Sequence, residues 1–385
     1  MKKLFFFYFF LYYLFIVIYA NYLGIGDFEV EFLNSNSFVS MVENRFLSFF
    51  GNSNFALRLP SILLSFFSII LYYKISANYL KKKEDIFLAM IVFSLMPGFI
   101  LATLLFNKSI YIIFLVLLFI YSFIFYRFYS YILLFFYTII DYSFISLYLG
   151  VLFYSIYKKE GYFILYSLFL LMINANYFHY EIGGHPRGHF VDIFLIYSAI
   201  FSPFVFIYFL YSIIKFFKTP TLLWFISGWG LLFSILLSFR QKIKIDDFAP
   251  FVIIAVVFMI TIFFKDYRIR LKIFRLKFKF LFFFLFTSLV IFDIFMMYSP
   301  YFLNHKIFRQ FRDSYSVFLF LKEHNLNYIK CNNKKLCKKL YFYGIKKGDN
   351  YFISFDKSLK KVSISHNSKK IYDFYVSKLN KNQKK

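Results

Sequence analysis

Runs of nearly unbroken apolar residues, separated by short polar stretches, recur along most of this chain. A helix needs about 20 mainly apolar residues to cross a bilayer, whose hydrocarbon core is about 30 Å thick. On that measure the pattern predicts eleven spans, over 4–23, 60–80, 86–106, 109–126, 128–140, 143–157, 162–175, 193–214, 221–239, 247–264 and 280–300. The runs at 128–140, 143–157 and 162–175 are short, which suits re-entrant segments or spans shielded by their neighbours. From Tyr301 the pattern becomes that of a soluble segment. Phe308 to His324 mixes charged and apolar positions at helical spacing, Leu326 to Ile329 and Tyr351 to Phe355 read as strands, and Lys335 to Tyr343 as a helix between them. The expected fold is thus an all-α polytopic membrane protein, with a transmembrane domain over 1–300 and a small C-terminal α/β domain over 301–385. The Lys-rich end from about Lys378 is expected to be disordered.

Composition agrees with this class. Hydrophobic residues make up 61% of the chain, with 65 Phe and 35 Tyr, and the mean hydropathy is +0.65. So many aromatics read as lipid-facing or core packing and not as cation cages. The net charge of +26 invites a nucleic-acid reading, but basic cytoplasmic loops explain it without one, and no nucleic-acid partner is expected. Lys2-Lys3 precede the first run and no small-residue cleavage site follows it, so a retained helix is expected and not a signal peptide.

The basic residues set the orientation. With the N-terminus inside, one side collects Lys2, Lys3, Lys81 to Lys83, Arg127, Lys158, Lys159, Lys215, Lys218 and seven cations between Lys265 and Lys279, seventeen in all. The other side collects seven: Arg45, Arg58, Lys108, Arg187, Arg240, Lys242 and Lys244. The asymmetry follows the positive-inside rule and places the first loop and the tail outside. Cys331 and Cys337 both fall in that tail; a disulfide suits an oxidising compartment, and a pair of free thiols is the alternative. Glycine-rich phosphate loops, Walker patterns and serine nucleophile elbows are absent from the sequence, which leaves an ATP-driven transporter or a kinase without support.

Three external stretches carry the chemistry. The first is Gly24 to Ser61, with Asp27, Glu29 and Glu31 near its start and Phe50-Gly51-Asn52-Ser53-Asn54-Phe55-Ala56-Leu57-Arg58-Leu59-Pro60-Ser61 at its end. The second, Asn176 to Asp192, holds His179, Glu181, His185 and His189 among only six histidines in the chain. Imidazole and carboxylate are ordinary ligands of a divalent ion, but the spacing matches no standard zinc pattern, so a metal-free polar substrate loop is the competing reading. The third, Phe239 to Pro250, places Arg240, Lys242 and Lys244 where short external loops usually avoid cations. Asp293 stands alone in the last run, where a carboxyl is costly in lipid and is expected to face the bundle or the surface. Asp141 reads as a span end.

The Phe50 to Ser61 junction resembles the end of the first periplasmic loop in GT-C glycosyltransferases of the protein O-mannosyltransferase and aminoarabinose-transferase group. Asp27 and Glu29 stand where that group carries an acidic pair, here split by Phe28, and Phe38 to Phe50 stands as its amphipathic segment. Leu95-Met96-Pro97-Gly98-Phe99 is similar to the group's Pro-containing third span, and Arg240 to Pro250 to its late basic loop. Two departures stand out: only Asn34-Ser35-Asn36 represents the group's further polar segments, and Asn107-Lys108-Ser109 replaces an Asp after the third span.

The resemblance implies a bacterial inner-membrane enzyme with a periplasmic site. It would transfer a sugar from a polyprenyl-phosphate carrier to a lipid, glycan or protein acceptor. Such transfer needs a carboxylate to take the acceptor's proton and cations or a metal ion to stabilise the departing phosphate. Asp27 is then the first candidate base and Glu29 the second. Arg240, Lys242, Lys244, Arg187 and Arg58 are the phosphate-binding candidates, Arg being suited to bidentate contact. A divalent metal would fall to His179, Glu181 and His185. Each assignment has a plainer counterpart: solvated, helix-capping acids for the first loop, and headgroup anchoring for the basic residues. The alternative function is that of a non-catalytic relative, which binds or transports a lipid-linked glycan.

Overall fold

The computed structural model describes residues 2–178, 189–240, 244–302, 306–331, 333–356, 361–366 and 369–375. In chain order the helices are α1 (Lys2–Tyr22), α2 (Asp27–Leu33), α3 (Phe38–Phe50), α4 (Leu59–Ser76), α5 (Lys83–Ser94), α6 (Pro97–Leu104), α7 (Ser109–Phe125), α8 (Arg127–Ile140), α9 (Ile145–Lys158) and α10 (Gly161–Tyr177). There follow α11 (Phe190–Phe201), α12 (Pro203–Phe216), α13 (Leu222–Ser238), α14 (Ala249–Ile253), α15 (Val256–Ile269), α16 (Arg275–Phe302) and α17 (Lys306–Glu323). The C-terminal part is β1 (Tyr328–Cys331), α18 (Lys334–Phe342), β2 (Lys346–Asp356), β3 (Lys361–His366) and β4 (Lys369–Tyr375).

All eleven apolar runs are helical, but fewer than eleven form an unbroken helix of spanning length. Among the described residues, four helical segments are long and apolar enough to cross a membrane: Lys3–Tyr22, Ala56–Ser76, Ala249–Ile269 and Lys272–Met297. The number is six if each of two bent pairs counts as one span. Length and composition thus support four to six candidate spans and do not by themselves establish the expected count of eleven. Prolines cause part of the shortfall. Pro97 and Pro203 stand at the starts of α6 and α12, where a missing N–H costs nothing. The preceding helices stop, leaving bends of 57° between α5 and α6 and 102° between α11 and α12. Other runs lose residues to tight turns, such as the one Asp141 caps ahead of α9.

The described residues form two compact units. One comprises Met1–Tyr8, Ser37–Val39 and Ser61–Phe295, the other Phe9–Asn36, Ser40–Pro60 and Met296–Lys385. This division differs from a single boundary at residue 300, because first-loop elements pack with the tail.

In the first unit α9 lies between α10 and α13, α15 contacts α5 and α12, and α14 reaches α7 and α13. The α9–α13 approach depends on Gly150, where an added Cβ would come 2.7 Å from the Ile226 Cα; small residues allow such backbone proximity between apolar helices. In the second unit α17, α18 and β1, the first strand of a four-stranded sheet, bring together Val317, Leu321, Leu326, Ile329, Leu336, Leu340 and Ile345. The sheet order is β1-β2-β3-β4, with β1 parallel to β2 and the other pairs antiparallel. A disulfide joins Cys331 to Cys337. The Lys-rich stretch from Lys378 lies outside the described residues.

Candidate functional site

In each unit short connections between helices build a polar cluster that holds candidate residues. In the first unit three such connections meet. After α6 the chain turns through Asn107, whose Oδ1 accepts the Ser109 N–H at 3.0 Å and so helps start α7. After α8, Asp141 caps the Tyr142–Phe144 turn by accepting from Ser143 N at 2.9 Å and Ser143 Oγ at 2.6 Å. Before α14 a further turn, Ile245–Asp247, carries two adjacent carboxylates.

Lys108 ties the three together. Its Nζ lies 2.8 Å from Asp141 Oδ1 and 2.7 Å from Asp247 Oδ1, and 4.0 Å from the centre of the Tyr142 ring. The Tyr142 hydroxyl donates to Asp247 Oδ2 at 2.6 Å, and Ser109 Oγ donates to Asp246 Oδ1 at 3.0 Å. Burial alone would lower the Lys108 pKa, but Asp141 and Asp247 outweigh it and hold the ammonium above its ordinary value. Asp246 moves the other way for a carboxyl. Burial raises it, the Ser109 hydroxyl opposes the shift, and Asp247 beside it adds to the rise. One cation among three carboxyl groups repels phosphate, whereas a carboxyl raised in this way is suited to exchanging a proton with a hydroxyl.

The predicted phosphate-binding cations of the same loop point elsewhere. Arg240 and Lys244 are exposed, while Asp247 folds inward. Lys242 lies outside the described residues, as do His179, Glu181, His185 and Arg187. His189 is described, and its Nδ1 lies 3.0 Å from Asp192 Oδ2. Among the described residues no group of three or more His, Cys, Asp or Glu is placed to hold a metal ion.

The second unit contains the first-loop candidates. The tight backbone at Gly24-Ile25-Gly26 lets α2 begin directly after α1; a Cβ on Gly24 would meet the Phe311 carbonyl oxygen at 2.1 Å. Glu29, in the first turn of α2, accepts the Gly26 N–H at 2.7 Å in the manner of a capping box. Its carboxylate lies 3.4 Å from the Arg58 guanidinium, which also donates to Asn54 O at 2.9 Å and Gly24 O at 3.1 Å. Arg58 is 0% exposed and Glu29 2%. The Tyr343 hydroxyl, its pKa raised by burial, donates to Asn54 Oδ1 at 2.5 Å and accepts the Ile25 N–H at 3.0 Å. Arg58 is therefore a buried strut and not an available phosphate ligand, and Glu29 is its partner. This corrects the sequence-based expectation for Arg58, because a guanidinium spent on two carbonyls and a carboxylate has no face left for phosphate.

Asp27 is placed differently. Its side chain is 28% exposed, and its Oδ1 lies 2.6 Å from the Nζ of Lys339 on α18. One turn further on, Glu31 lies 3.7 Å from Lys335. Acids at i and i+4 on α2 thus face cations at i and i+4 on α18, a match of spacing on two helices far apart in sequence. The sequence held the signal, since Lys335 and Lys339 flank a stripe of apolar residues, but nothing in it joined that stripe to the first loop. Lys108 was likewise visible only as a departure from the resembled group, and Asp141 only as a span end.

No family model, curated protein or solved structure matches this chain.

Proposed function

We propose that the chain is an inner-membrane glycosyltransferase of GT-C type, which takes a sugar from a polyprenyl-phosphate carrier and passes it to a periplasmic acceptor. The observation that carries this reading is the form of the 240–250 loop. Arg240 and Lys244 are exposed at the ends of apolar helices, while the adjoining Asp247 turns inward onto Lys108 and Tyr142. Such a cationic rim suits a phosphate carried by a membrane lipid.

The topology in this proposal has eleven crossings, with the N-terminus in the cytoplasm and the tail in the periplasm. The ion pairs support it. Arg127–Glu160, Lys215–Asp266 and Arg268–Asp85 each join positions assigned to the cytoplasmic side. Lys108–Asp141, Lys108–Asp247, Arg58–Glu29 and Lys339–Asp27 each join positions assigned to the outside. An error in the parity of the crossings would set some of these partners on opposite faces.

Asp27 is the proposed general base, since among the first-loop acids Glu29 is buried against Arg58. The Asp27 side chain is partly exposed, so an acceptor hydroxyl can approach it. The test uses the full chain in bilayer nanodiscs, with undecaprenyl phosphate as the binding probe and its glycosylated form as donor. Replacing both Arg240 and Lys244 by Ala should weaken binding by roughly 10- to 100-fold, the scale of one or two charged hydrogen bonds. Asp27→Asn should leave binding unchanged and lower transfer by roughly 10²–10⁴-fold, the usual share of a general base. Unchanged binding by the double variant would overturn the phosphate assignment, and full transfer by Asp27→Asn the catalytic one.

A second reading has its own support. Both predicted catalytic acids are paired with cations, and Lys108 occupies the place where the resembled group carries an acid. That arrangement suits a protein that binds or transports a lipid-linked glycan without transferring sugar. It would give carrier binding sensitive to Arg240 and Lys244, with no transfer to any acceptor.

A further inference from the structure

The last long apolar helix contains an acid that the proposed chemistry does not use. Asp293 lies in α16, inside the Lys272–Met297 span, of which only 17% of the most apolar stretch is buried. Most of the helix is therefore open to its surroundings, yet Asp293 is 7% exposed and sits one turn after Leu289, 1% exposed, on the buried stripe. Neither oxygen of the Asp293 carboxyl has a hydrogen-bond partner among the described residues. Tyr8 of α1 lies near Asp293, and its hydroxyl is hydrogen-bonded to Ser94 Oγ of α5. These polar neighbours are neutral.

An ionised carboxylate buried in an apolar span needs a cation or several donors to offset its lost hydration. Here hydroxyls are nearby, and no described residue hydrogen-bonds the carboxyl. A neutral acid avoids most of that cost. Asp293 lies four residues from the end of that span, yet its side chain turns toward the protein and away from the surroundings.

We propose that Asp293 is an intramembrane proton site, its carboxyl holding a proton in the resting protein. The inference does not depend on sugar transfer. It bears on the second reading above, since a protonated acid within a span is where a proton-driven carrier would bind its coupling ion.

Carbodiimide chemistry tests it. A protonated carboxyl gives its proton to a carbodiimide nitrogen while its oxygen bonds to the central carbon. The acyl group of the resulting O-acylisourea then shifts from oxygen to nitrogen, giving a stable N-acylurea. The net reaction is an addition, with nothing oxidised or reduced and no leaving group. Membranes containing the full-length protein would be treated with dicyclohexylcarbodiimide, or in parallel with a water-soluble carbodiimide, and the peptides mapped by mass spectrometry. The expected result is an adduct on Asp293 with the apolar reagent only, while the water-soluble reagent modifies Asp192, whose side chain is 56% exposed. Asp293→Asn should remove the adduct, and if that variant does not accumulate, the map of the parent protein decides alone. An unmodified Asp293 after the apolar reagent, or one modified equally by both, would overturn the proposal.

Discussion

Replacing Arg58 by Ala separates a strut from a ligand. The guanidinium is 0% exposed and makes contacts at 2.9 Å to Asn54 O, 3.1 Å to Gly24 O and 3.4 Å to the Glu29 carboxylate. Its removal takes from Glu29, 2% exposed, the guanidinium that faces its carboxylate, while the Gly26 N–H contact stays. It also strands two backbone carbonyls that hold the end of the first loop against its start. Breaking a buried pair from one side costs about 3–5 kcal/mol, a large part of the 5–15 kcal/mol typical of a folded domain. At 1.4 kcal/mol per tenfold, the folded-to-unfolded ratio falls by roughly a hundred- to a few-thousand-fold. Glu29→Gln should cost less, because the amide keeps the size and an acceptor oxygen. Since the stranded charge dominates the single loss, Arg58→Ala with Glu29→Gln should recover about 1–2 kcal/mol of it, within the range of coupled neighbours. Thermal unfolding of the detergent-solubilised protein, followed by size-exclusion chromatography, measures all three. If Arg58→Ala unfolds like the parent while carrier binding is lost, the guanidinium is a phosphate ligand and the burial argument is wrong. Additive losses in the double variant would show that Glu29 and Arg58 are not a coupled pair.

The Asp246–Asp247 turn makes an opposed pair of predictions. Asp247→Asn removes a carboxylate 2.7 Å from Lys108 and should destabilise, whereas Asp246→Asn copies the neutral form that burial favours. A raised carboxyl keeps its proton to higher pH when folded than when unfolded, so its burden on stability grows as pH rises above the ordinary carboxylate range of about 4. Asp246→Asn should then match or exceed the parent at neutral pH and lose that advantage in acid; thermal scans across pH in which it is less stable throughout would refute this. The Lys108 pairing runs with the opposite sign, being fully present below the ordinary lysine value and lost only as strongly alkaline pH passes its raised one. Topology is checked separately. A reporter fused at Lys385 should be active only when it functions outside the cytoplasm, and cytoplasmic activity there would overturn the parity of the crossings along with the sidedness of the later loops.

What the sequence determined by itself was the positions of the apolar helices and the class they imply. Long apolar runs need a nonpolar setting, and a helix satisfies its own backbone there, so hydropathy alone located every run that became helical. The skew of basic residues suggested an orientation for the same reason, since it is a property of the chain and not of packing. Span length was less legible. Pro97, Pro203 and Asp141 end or bend helices within or beside apolar runs, and hydropathy averaged over a window passes across such breaks.

The polar clusters were decided by tertiary structure. Asp27 and Lys339 are separated by most of the chain, as are Glu29's loop and Tyr343, and no local pattern says that an acidic helix after the first span will face a basic helix in the tail. Lys108 stood in the sequence as a departure from an expected acid, and Asp141 as the end of a span; folding made them partners by bringing three short turns within reach of one ammonium. The same holds for Arg58, a motif arginine by its neighbours in sequence but a buried strut by its neighbours in space. A side chain's chemistry is set by what surrounds it, and for a charged group in a largely apolar protein those surroundings come from distant segments.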